Sequence, residues 1–93
     1  MKNIVFVIKD ERHAEIQEGV FEQLSDVLDE LERRATIAWD ERPNRAPCPN
    51  WEKCGRNYEI VKYDQSSVPW MELRKTAALE ISANGINWLL PPT

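Results

Sequence analysis

The sequence predicts a small α+β domain, an antiparallel or mixed sheet with one long helix packed on a face. Three observations carry this reading. Ile4, Val5, Phe6, Val7 and Ile8 form an unbroken β-branched and aromatic run, which suits a strand buried on both faces. Ile16, Val20, Leu24, Val27, Leu28, Leu31 and Ala35 recur at steps of three and four with acids between them, the signature of an amphipathic helix. Asn84-Gly85 separates two alternating apolar stretches, a strong short hairpin signal.

The expected order is β-α-(β)-loop-β-(α)-β-β in one domain. A chain of 93 residues has room for one domain and a modest core. The first strand is bounded by Asn3 and Lys9. Its start resembles a secretion signal, but the apolar run stops at Lys9, Asp10, Glu11 and Arg12, and no small-residue cleavage site follows. The run therefore reads as a strand of the mature protein, and the expected location is cytoplasmic. No apolar run reaches the roughly 18 residues a membrane helix needs.

The helix follows. Gly19 weakens its first turns, so it could begin only near that residue. Arg33 and Arg34 fall in its last turn, where positive charge complements the helix dipole. Residues 36–39 lean to a short strand through the β-branched Thr36 and Ile37. Residues 40–56 form an irregular loop, because Pro43, Pro47, Pro49 and Gly55 forbid a regular element. Residues 57–64 alternate as a strand, with Tyr58 and Ile60 on one face and Val61 and Tyr63 on the other. After a turn at Gln65, Ser66 and Ser67, residues 70–75 read as one or two helical turns. Leu79, Ile81 and Ala83 alternate before Asn84-Gly85, and Ile86, Trp88 and Leu90 after it. Trp88 is expected in the core, and Trp70 over a sheet edge or end.

The formal net charge is −4, which argues against a double-stranded DNA binder. The charge is uneven, and two surfaces stand out. Glu15, Glu18, Glu22, Asp26, Asp29 and Glu30 would share one helix face with no Lys among them. Such a face can steer toward a basic protein surface, although most charge runs are simply solvated. The expected function is a small acidic protein-binding module, an inhibitor, adaptor or regulator. It would act through Glu15, Glu18, Glu22, Asp26 and Asp29, or through the segment from Trp39 to Arg56, where Trp39 and Trp51 could anchor an interface. A second copy is a further candidate partner, paired through an exposed edge at residues 36–39 or at the Leu79 hairpin.

Two alternatives remain. Arg42, Arg45, Lys53 and Arg56 interleave with Trp51 and Tyr58, the combination that binds single-stranded nucleic acid by stacking and phosphate neutralisation. The plainer reading turns Trp51 inward and leaves the bases solvated. Cys48 and Cys54 could form a metal or redox module. Zinc needs four ligands, usually from closely spaced pairs, and the chain's only histidine is the distant His13. Two reduced thiols are the plainer reading, and no cofactor is expected. There is no nucleophile elbow and no phosphate-cradling glycine loop, so an enzyme is not expected.

Overall fold

A computed structural model describes residues 3–45 and 55–90 of the chain. It shows an α+β fold with one helix on an antiparallel five-stranded sheet. The elements are β1 (Ile4–Asp10), a single 3-10 turn (Glu11–His13), β2 (Glu15–Ile16), α1 (Leu24–Ala35), β3 (Arg56–Asp64), β4 (Met71–Ser82) and β5 (Gly85–Trp88). The strand order is β2-β1-β3-β4-β5. β1 pairs with β3 along its whole length, Ile4 opposite Asp64 and Asp10 opposite Tyr58.

Side chains alternate across a strand, so Phe6, Ile8, Tyr58, Ile60, Leu79 and Ile81 share one face. Val27 and Leu31 of α1 close over them to complete the core. Phe21, Leu28, Ala35 and Trp39 pack around its margin. The helix has 12 residues and β4 also has 12. A helix of that length covers about 18 Å, whereas the strand runs about 40 Å. The helix therefore leaves part of the sheet uncovered.

Four sequence expectations are corrected here. The helix begins at Leu24, not near Gly19. Gly19 has φ +108, and residues 15–21 run instead along the outer edge of β1. Gln17 N–H donates to Ile8 O, and Phe6 and Phe21 exchange two backbone bonds. Main-chain pairing to an exposed strand edge wins over the helical periodicity of Ile16 and Val20.

Residues 36–39 are not a strand. Thr36 and Ile37 donate back to Arg33 O and Arg34 O, which closes the helix C-terminus. Residues 71–75 are strand, not helix, since β4 continues the ladder with β3 down to Met71 opposite Asp64. Finally, Trp88 is 41% exposed. It stands opposite Leu79 on the helix-bearing face, but beyond the reach of α1. The hairpin itself is present, with Ser82 opposite Gly85.

Candidate functional site

The densest polar constellation lies where β1 ends and β3 begins. Asp10 is fully buried, and its carboxylate organises the corner. It accepts from Arg12 N–H at 3.1 Å and Asn57 N–H at 3.0 Å. Arg56 Nη1 donates to it at 3.0 Å, and His13 Nδ1 donates to its second oxygen. Arg56 also meets Glu15 at 3.2 Å and donates through Nη2 to Arg45 O. Burial opposes the charge on Arg56, but the bonds to Asp10 and Glu15 outweigh it and raise its pKa. Its Nε–H is buried with no partner among the described residues.

A second buried guanidinium sits beside the first. Arg34 of α1 donates to Glu30 at 2.7 Å and to Gln17 at 2.9 Å, and stacks 5.0 Å above the Tyr58 ring. Glu30 is also gripped by Arg33 through two 2.8 Å bonds. The Arg33 bonds, against a smaller opposing effect of burial and with help from Arg34, hold the Glu30 pKa below its ordinary value.

Asn44 locks this corner to the helix. Its Nδ2 donates to Arg34 O at 2.8 Å and Ile37 O at 2.9 Å, while its Oδ1 accepts from Tyr58 O–H at 3.0 Å. It thereby adds a side-chain donor to Arg34 O in the last turn of α1, which also accepts from Ile37 N–H, and one to Ile37 O just past the helix.

Together these residues wall a cleft of about 650 Å³ lined by Arg33, Arg34, Arg42, Arg45 and Arg56, with Glu15, Glu18 and Glu30. Thus Arg42, Arg45 and Arg56, expected as a basic group, do converge. Arg56 is nevertheless mostly engaged inside the protein. Trp51, Lys53, Cys48 and Cys54 lie outside the described residues. Trp39 is half-buried against the core.

The expected acidic helix face is divided. Only Asp26, Asp29 and Glu30 lie on α1. Glu15 is in β2 and ion-paired to Arg56, and Glu18 and Glu22 belong to the segment between. Glu30 is ion-paired within the helix to Arg33 and Arg34. Glu18, Glu22, Asp26 and Asp29 are exposed. Among the described residues, no group of three or more His, Cys, Asp or Glu is placed to hold a metal, and no helix is long and apolar enough to cross a membrane.

A different surface was not legible as such. β5 and Leu89 cover only residues 78–82 of β4. Among the described residues nothing pairs with the outer side of residues 71–77. Val68 is 94% exposed, and Trp70, Met71 and Leu73 are each more than 40% exposed beside that edge. Trp70 is held edge-on to Tyr63, with ring centroids 5.9 Å apart. At the opposite margin residues 15–21 pair along the outer side of β1 and form the edge there.

Comparison with known protein families, with curated proteins and with solved structures finds no match for this chain.

Proposed function

We propose that this chain is a protein-binding module, acting in the cytoplasm, that takes an extended segment of a partner along the outer edge of β4. The observation that carries this reading is the open ladder at residues 71–77 with Val68, Trp70, Met71 and Leu73 exposed beside it. An unpaired strand edge presents a row of N–H and C=O groups ready for strand addition. Apolar side chains next to it supply contact area, and a partly exposed Trp is a common interface anchor. Glu72, Arg74 and Lys75 discourage indiscriminate pairing and favour a segment with matching charges. The exposed Glu18, Glu22, Asp26 and Asp29 would add long-range attraction for a basic partner.

A second reading rests on the convergence of Arg42, Arg45 and Arg56 on one cleft, which would take phosphates of single-stranded nucleic acid.

One experiment separates them. A photo-crosslinking residue is placed at position 73, at 42 or at 26, and the chain is expressed in its native host. Protein adducts from position 73, lost in a Trp70→Ser, Met71→Lys variant, support strand addition. Nucleic-acid adducts from position 42, lost on Arg45→Glu, support the second reading. Protein adducts from position 26 alone would return the role to the acids of α1.

A further inference from the structure

On the helix-bearing face an apolar groove of about 620 Å³ runs between α1 and β4. Leu24 and Leu28 form one wall, Phe6 and Ile60 the floor, and Trp88 and Leu90 the far side. The wall and the far side are partly open to water, with Leu24 47% and Trp88 41% exposed, above a floor where Ile60 is buried. The volume falls within the roughly 300–1,000 Å³ typical of small-molecule sites.

Two cations stand at this groove. Lys62 on β3 is directly opposite Arg74 on β4, and both line the groove. Like charges directly opposite one another on a sheet repel. Neither has an ion-pair partner among the described residues, whereas Lys75, on the neighbouring position, does pair, with Glu72 at 3.6 Å. Glu32 reaches the same groove from α1 but bonds to neither cation. The sheet therefore holds two adjacent unneutralised cations beside an uncovered apolar channel.

From this juxtaposition we infer that the groove binds a free aliphatic carboxylate, with its chain along Leu24, Leu28, Ile60 and Leu90 and its head between Lys62 and Arg74. A carboxylate matches the fork of an arginine and can accept from the lysine as well. It would relieve the repulsion between the two cations. The tail would cover apolar surface that α1 is too short to cover. The inference is independent of strand addition, which uses the outer edge of β4 rather than this face.

The test is a titration of the whole chain with dodecanoate, below its micelle concentration, followed by amide and indole NMR. Dodecanol, the same chain without the charge, is the comparison. Saturable one-to-one binding is expected, with the largest shifts at Lys62, Arg74, Thr76 and the Trp88 indole. Dodecanol should bind roughly tenfold or more weakly, and a Lys62→Ala, Arg74→Ala variant should lose a similar factor for dodecanoate only. Both positions lie outside the core, so the variant keeps its fold, which its unliganded spectrum shows. The inference is overturned by absence of saturable binding, by equal affinity for acid and alcohol, by an unaffected double variant, or by shifts that map to Arg42 and Arg45.

Discussion

Asp10, the last residue of β1, and Arg56, the first residue of β3, form a buried ion pair at 3.0 Å across 46 positions of sequence. The pair ties the two strands together at the end where the chain leaves the sheet. Burying charges is expensive, and removing one partner strands the other. Asp10→Ala also leaves the N–H groups of Arg12 and Asn57 without their acceptor. It should cost about 3–5 kcal/mol, a large share of the roughly 5–15 kcal/mol available to a small domain. Urea denaturation would show this. A cost below about 1 kcal/mol would mean that water replaces the carboxylate and that the corner is not rigid.

Asn44 poses a second test. It is 1% exposed and both ends of its amide are used, the donors on the C-terminus of α1 and the acceptor on Tyr58. Asn44→Ala should cost about 1–3 kcal/mol, because buried polar groups lose their partners. Asn44→Asp should cost more, since a carboxylate would face carbonyl oxygens at the negative end of the helix dipole. If the two substitutions proved equal, the cap would be contributing volume rather than hydrogen bonds.

Backbone conformation makes a prediction in opposite directions. Ala14 has φ 51 and ψ 41 at the end of the 3-10 turn, the left-handed region that costs a residue with a Cβ about 1 kcal/mol. Ala14→Gly should therefore relieve strain and be neutral or stabilising by a few tenths of a kcal/mol, after the added freedom of the unfolded chain. Gly85→Ala should destabilise by about 1 kcal/mol, through its φ of +115 alone, since a Cβ there meets nothing within 4 Å. Gly55→Ala should be worse. Its Cβ would lie 2.3 Å from Ile81 O, so the β3–β4 ladder itself must shift. Thermal unfolding of the three variants would give this order, and a milder effect at Gly55 than at Gly85 would contradict the close approach.

Much of the fold was legible because its signals were local. The run from Ile4 to Ile8, the alternation around Tyr58 and the Asn84-Gly85 hairpin each report on a single element. The errors arose where tertiary pairing overrode a local pattern. Ile16 and Val20 keep helical spacing with Leu24, yet the open edge of β1 recruits residues 15–21 by backbone bonds. Residues 71–75 look helical alone, but β3 extends beside them and supplies a ladder. The cleft was half legible. Arg42, Arg45 and Arg56 were seen as a basic group, whereas Arg33 and Arg34 were read only as helix-dipole partners. Asp10 and Asn44 were missed, since their roles exist only once distant segments meet. The one available hint was Asp10 itself, an acid closing a strand that is otherwise apolar apart from Lys9.

Two groups give the stability a defined pH dependence. Arg33 hydrogen bonds lower the Glu30 pKa from 4.5, against burial and with help from Arg34. A carboxylate lowered by folding stabilises fully above its unfolded pKa, and that stability is lost as pH falls through the lower folded value. The difference in urea midpoint between wild type and Glu30→Gln should thus be constant near neutrality and shrink below about pH 4.5. At the other limit, burial raises the Tyr58 pKa above 10.0, although Arg34 and Arg56 oppose the shift. Above that pH the unfolded chain releases the phenolic proton before the folded one does. Unfolding is then favoured increasingly as pH rises from 10.0 toward the folded pKa. Tyr58→Phe removes the hydrogen bonds to Asn44 and Pro43 and should be less stable at pH 7. It should nevertheless lose less stability than wild type between pH 9 and 11. Parallel alkaline curves for the two proteins would show that burial does not hold the phenolic proton on Tyr58.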